Sequence, residues 1–209
     1  MLSLEEGKKL VKIARTAIEK YIVGGKEIKI KDIKDKGIDV PNSFLEKRGV
    51  FVTLRSYPSN DLRGCIGLPL PEKELILATI DAAISSATND PRFGPVSKEE
   101  INKISVEISV LTKPERIKVK DPKEYVDKIE IGKDGLIIKY GFYSGLLLPQ
   151  VPIEQDWNEE EYLNGLCQKA GLAPDMWMEK SIEIYKFQAQ IFEEEKPDGE
   201  IIERKLKQF

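Results

Sequence analysis

A thiol beside a guanidinium is the sharpest chemical pairing in this chain. The run Leu62-Arg63-Gly64-Cys65-Ile66-Gly67-Leu68 has the two-residue period of a strand. That period puts Leu62, Gly64, Ile66 and Leu68 on one face and Arg63, Cys65 and Gly67 on the other. A cation next to a thiol favours the thiolate, which is the nucleophilic form. Gly67 leaves room on the same face for a small molecule or a partner side chain. The same residues also admit a packing account, in which Cys65 is a small buried hydrophobe and the glycines allow close approach. Cys167 differs, because it falls on the apolar stripe of a helical pattern and is expected to pack.

Other residues could serve such a site. In Asp90-Pro91-Arg92-Phe93 a stiff loop either holds Asp90 and Arg92 as a surface ion pair or presents them to a ligand. Glu107, flanked by Ser105 and Ser109, lies on the polar face of a strand, where it either faces Arg63 and Cys65, if both strands share one sheet, or is simply exposed to solvent. Pro149 and Pro152 predict an extended backbone around Gln150, ahead of Glu154 and a helix led by Asp156, Trp157 and Asn158. That loop is either the rim of a cleft or a connector. Histidine is absent, which removes Ser/His and Cys/His pairs, histidine-ligated metals and any histidine pH switch. A catalytic Cys65 would therefore need Arg63, Glu107 or a backbone dipole for activation. There is no Walker or dinucleotide-type glycine loop and no CxxC motif, so neither a cofactor nor a metal is expected.

The elements that must position these residues follow from periodicity. Ser3 with Glu6 is a capping box for a helix carrying Leu10, Val11, Ala14, Ala17, Ile18, Tyr21 and Ile22, stopped by Gly24 and Gly25. Residues 26–49 are polar and turn-rich, with a short strand expected at Ile28 to Ile30. Val50 to Arg55 and Leu62 to Leu68 read as a hairpin around the turn residues Tyr57 to Asp61. Leu75, Ile76, Ile80, Ala83, Ile84 and Ala87 mark a second helix that the Asp90-Pro91 step ends. Ser97 and Glu100 cap a short helix before the alternating strand 104–111. Lys128 to Gly132 and Leu136 to Tyr140 predict a hairpin around Lys133 to Gly135, with a further strand at Leu146 to Leu148. Asn158 and Glu161 cap a third helix bearing Tyr162, Leu163, Leu166, Cys167 and Ala170. Ser181 to Phe192 is one extended segment, and residues 193–209, charged and broken by Pro197 and Gly199, predict a loosely held tail.

At 209 residues, with 41% hydrophobic and 33% charged residues, the chain suits one globular domain carrying a smaller lobe. Hairpin signals outnumber crossover patterns, so an α+β class built on antiparallel sheet is expected. The formal charge is −3, with 33 basic against 36 acidic residues, and this argues against nucleic acid. No apolar run approaches the ~20 residues of a membrane span, and two distant cysteines fit a reducing compartment. A cytoplasmic protein is the expectation. The wealth of Lys, Glu and Ile hints at a thermophilic source.

The segments RGVFVTL (48–54), LRGCIG (62–67), DPRF (90–93), VEIS (106–109) and GLLLPQV (145–151) occur in that order through most of the chain. In them the sequence resembles the AMMECR-type domain family, named for the Alport syndrome, mental retardation, midface hypoplasia and elliptocytosis chromosomal region protein. The resemblance implies an α+β fold with two unequal lobes, a larger and a smaller subdomain, and a cleft near the LRGCIG strand. It singles out Arg63, Gly64, Cys65, Gly67, Asp90, Arg92, Phe93, Glu107, Pro149 and Glu154, with Trp157 a weaker member, and it implies no established reaction. Microbial relatives accompany Memo-like and radical S-adenosylmethionine proteins, which implies a modification pathway. Two readings of the cleft follow: a binding or accessory protein that recognises a partner or small polar ligand, or an enzyme using Cys65 as nucleophile or redox thiol.

Overall fold

The computed structural model describes residues 1–205. Helix α1 (Leu4–Gly24) opens on the reciprocal bonds of its capping box, with the Glu6 N–H donating to Ser3 Oγ and the Ser3 N–H to Glu6 Oε2. It closes on Gly25, whose φ of 64° is the left-handed conformation that favours glycine. The expected strand at Ile28 to Ile30 is instead the approach to a short helix α2 (Ile30–Asp35). Asp32 decides this, accepting the Lys29 N–H at 2.8 Å and pairing with Lys20 at 2.7 Å, while Ile33 is buried.

Two compact units of unequal length make up the chain: residues 1–111 with 190–205, and residues 112–189. In the first, strands β1 (Val50–Ser56), β2 (Leu62–Leu68) and β3 (Ile104–Leu111) join β8 (Ala189–Glu194) and β9 (Ile201–Arg204) in a five-stranded sheet. Its order is β2-β1-β3-β8-β9, and β1 is antiparallel to both β2 and β3. Val50, Val52 and Leu54 of β1 and Val106, Ile108 and Val110 of β3 form one core with α1 and with helix α3 (Leu75–Thr88). Each such side chain, fully buried, contributes about 1.5–3 kcal/mol. Alternation leaves Phe51, Thr53 and Arg55 on the opposite face, beside Cys65 and Gly67 and beside Ser105, Glu107 and Ser109.

The second unit holds a four-stranded sheet in the order β4-β7-β5-β6, from β4 (Glu115–Arg116), β5 (Gly135–Tyr140), β6 (Tyr143–Leu147) and β7 (Glu183–Phe187). Helices α4 (Gln150–Glu154) and α5 (Glu159–Lys169) complete it. Tyr162, Leu163, Leu166 and Cys167 of α5 share its core with Leu136, Ile138 and Ile184. The expected hairpin around Lys133 to Gly135 moves one strand along. Residues 122–128 form a 3-10 helix capped by Asp121, a tight turn with Asp134 N–H on Glu130 O follows, and the hairpin joins β5 to β6. The extended backbone expected around Pro149 is a helical turn, because Pro149 at φ −59° and ψ −26° suits helix entry as well as extension.

Two corrections concern the C-terminal part. The extended segment 181–192 divides into β7 and β8, which belong to different sheets. The expected loose tail is ordered through Arg204: β8 runs to Glu194 and β9 pairs with it antiparallel. Glu194 is the reason. Its carboxylate, almost wholly buried, accepts Arg15 Nε at 2.6 Å and the Val106 N–H at 3.1 Å. The last part of that expectation, residues 206–209, lies outside the described residues.

Candidate functional site

β2 is an edge strand of its sheet, and the elements around it determine what its residues can do. Gly64 lies against α3: a Cβ there would stand 2.2 Å from Ser86 O. The close approach lets Ser86 Oγ reach the ladder, accepting the Ile66 N–H at 2.8 Å and donating to Val52 O at 2.7 Å. The loop after α3 then returns along the strand. Asp90, only 4% exposed, accepts the Cys65 N–H at 2.8 Å through Oδ2. The same carboxylate takes Arg92 Nε at 3.0 Å and Nη2 at 2.7 Å, and the Arg92 N–H at 3.1 Å. Those Arg92 hydrogen bonds, with the one from the Cys65 backbone, hold the Asp90 carboxyl well below the usual carboxylate range.

Arg63 is placed differently from the expectation that it activates the thiol. Its Nε and Nη2 make a forked pair with Glu100 at 2.7 and 3.2 Å, and it also donates to Gly94 O and Pro95 O. The guanidinium is thus turned to residues 94–100, and its hydrogen bonds to Glu100 bring that carboxyl down to about 2. The Phe93 ring stands 6.0 Å from the Arg63 guanidinium carbon and 5.4 Å from that of Arg92. Both contacts lie within cation–π range. Of the two cations, Arg92 is the accessible one, with its side chain 52% exposed against 16% for Arg63.

The thiol itself is pushed up, not down. Burial is the largest cause, and the Glu107 and Asp90 charges add to it, against the lowering effects of the Thr53 hydroxyl and Arg92. In register, Cys65 pairs with Thr53 and Thr53 with Glu107, so both outer residues share one sheet face as expected. Thr53 lies between them, and its Oγ1 donates to Cys65 Sγ at 3.4 Å. Glu107, buried, accepts Arg204 Nη2 at 2.7 Å and has Arg55 Nε at 3.9 Å. It therefore disfavours the thiolate instead of activating it. Nor does Gly67 leave room for a ligand, because a Cβ there would stand 2.3 Å from the Phe51 ring, which covers it.

The first unit brings together Arg63, Gly64, Cys65, Gly67, Asp90, Arg92, Phe93 and Glu107. Pro149 and Glu154 belong to the second unit, at the two ends of α4. Trp157 packs there on Gly165, where a Cβ would meet its ring at 2.5 Å. Sequence reasoning missed Thr53, Ser86 and the pairing of Glu100 with Arg63. The only available signals were the alternation of β1 and the capping box at Ser97, neither of which names a distant partner. Cys167 is fully buried, and burial pushes its thiol up to about 11.

Such a chain is an α+β protein with one antiparallel-rich sheet per unit and a cysteine-bearing edge strand pinned by a DPRF loop. The sequence pattern of the AMMECR1 family matches residues 11–192, and the chain belongs to that family. Protein MJ0810 of Methanocaldococcus jannaschii is 58% identical over 206 residues, 99% of this chain and 98% of its own. Protein MK0488 of Methanopyrus kandleri is 53% identical over 206 residues, 98% and 96% of the two chains. Among solved structures, the uncharacterised protein PH0010 from Pyrococcus horikoshii matches with a TM-score of 0.90 and 52% identity, covering 97% of this chain and 98% of that one. The family is one of uncharacterised function, and no described helix is long and apolar enough to cross a membrane.

Proposed function

We propose that this is a cytoplasmic binding or accessory protein of a modification pathway, recognising its partner through the surface formed by Arg92 and Phe93. The observation that carries the reading is Arg92: half exposed, yet held in a forked pair by a buried Asp90 and set against an aromatic ring. A guanidinium fixed in this way loses little side-chain entropy when it binds. The adjacent sulfur is a poor nucleophile, with its thiol pushed up and a neutral hydroxyl, that of Thr53, donating to it. Recognition asks for charge and shape, which Arg92 and Phe93 supply. Nucleophilic catalysis asks for a thiolate, which burial opposes.

Memo-like and radical S-adenosylmethionine proteins are the partners proposed, on the family resemblance. The test is co-purification with such proteins followed by calorimetry. Arg92→Ala should weaken binding by roughly 1.5–3 kcal/mol, the scale of a lost hydrogen bond to a charged group. Cys65→Ser should be nearly silent. If instead the reconstituted system turns over, and Cys65→Ser stops it while binding stays intact, the alternative of a Cys65 enzyme is correct.

A further inference from the structure

Beyond the Arg92 surface, a cavity opens on the polar face of the five-stranded sheet. We propose that the cavity between the β1–β2 turn and the β8–β9 strands binds a small zwitterion, the ammonium and carboxylate of a free α-amino acid. Its volume is about 210 Å³, which suits a small amino acid and falls short of the roughly 300–1,000 Å³ of drug-sized pockets. The lining includes Arg55, Tyr57, Glu107, Glu193, Glu195 and Arg204.

Charge arithmetic selects the ligand class. Glu194 also lines the cavity, but its carboxylate is taken up by Arg15. Two guanidiniums then face three carboxylates. A simple anion would enter against that surplus of negative charge. A simple amine would satisfy the carboxylates but do nothing for Arg204, whose Nη2 is held by Glu107 while its Nε is buried without a hydrogen-bond acceptor, an oxygen of Glu193 standing 3.4 Å away. A buried donor in that condition calls for an acceptor from outside the chain. A zwitterion meets both demands, with its carboxylate at Arg204 and its ammonium toward Glu193 and Glu195. The Tyr57 ring, 48% exposed at the rim, adds an aromatic surface suited to a cation.

Calorimetry on the full chain with L-alanine, L-serine, propionate and ethylamine tests this. The two amino acids should bind, and the two single-ended analogues at least about tenfold more weakly. Arg204→Gln should lower the affinity for alanine by about tenfold or more. Glu195→Gln, at an exposed position where folding is not at stake, should lower it by about threefold. Absence of alanine and serine binding at tens of millimolar overturns the proposal. So does propionate or ethylamine binding as tightly as alanine, or a Glu195→Gln chain that folds normally and binds alanine unchanged.

Discussion

Cys65 shows how far a residue's chemistry depends on neighbours that strand periodicity cannot name. The alternation of LRGCIG predicts Arg63 and Cys65 as neighbours on one side, but the pairing of β1 with β2 slips between Leu54 and Arg55, and Arg63 is committed to Glu100. Iodoacetamide labelling followed by mass spectrometry across pH should find Cys65 slow at neutral pH, its rate still rising above the ordinary thiol range. Arg63→Ala should leave that profile in place, whereas Arg92→Ala should move it higher, since Arg92 is the cation that lowers this thiol. Cys167, fully buried, should label only on unfolding. A plateau for Cys65 below about pH 8 would restore the activated thiol. Gly64 yields a sharper expectation: with Ser86 O in the way of a Cβ, Gly64→Ala should cost about 1–3 kcal/mol in urea denaturation, the usual scale of overpacking. A variant as stable as the parent would mean that α3 shifts freely against β2.

At the scale of elements, most of the signals that one stretch of chain sets by itself were legible, the exceptions being the Asp121 cap of residues 122–128 and the helical turn after Pro149. The capping boxes at Ser3, Ser97 and Asn158 and the apolar stripes of α1, α3 and α5 needed no distant partner. What failed were short segments settled by tertiary contacts: Asp32 closing α2 with Lys20, and Glu194 drawing the charged C-terminal stretch into the sheet. Glu100 does both kinds of work, capping its own turn through the Ser97 N–H and receiving Arg63 from β2. Its folded pKa lies at about 2, below the ordinary 4.5. Its stabilisation is therefore complete above the unfolded value and is lost as pH falls from there through about 2. Urea melts of Glu100→Gln should lie below the parent at neutral pH and converge with it toward pH ~2. A gap independent of pH would show that the pair contributes by shape alone.

Over the whole molecule, the arrangement hardest to read in sequence is that the first unit is discontinuous. Its sheet is completed by β8 and β9, which follow 78 residues of the second unit, numbered 112–189. No composition shift marks the return, because β8 mixes Ile191 and Phe192 with Glu193 and Glu194. The fastening is the buried pair of Arg15 on α1 with Glu194 on β8, in which Arg15 also donates to Ile101 O and Ile104 O. Side-chain exposures are 6% and 2%, so removing one partner strands a charge in the core. Glu194→Ala should cost about 3–5 kcal/mol by denaturant unfolding. Hydrogen exchange should then quicken first in β8, β9 and the adjoining edge of β3. Arg15→Met combined with Glu194→Leu removes both charges and keeps the volume, and should recover most of that loss, since a buried ion pair seldom outperforms apolar packing. A double variant as unstable as Glu194→Ala would show that the bonds from Arg15 to the two carbonyls, together with the Val106 N–H on Glu194, hold the returning strand, and that the charge pair itself contributes little.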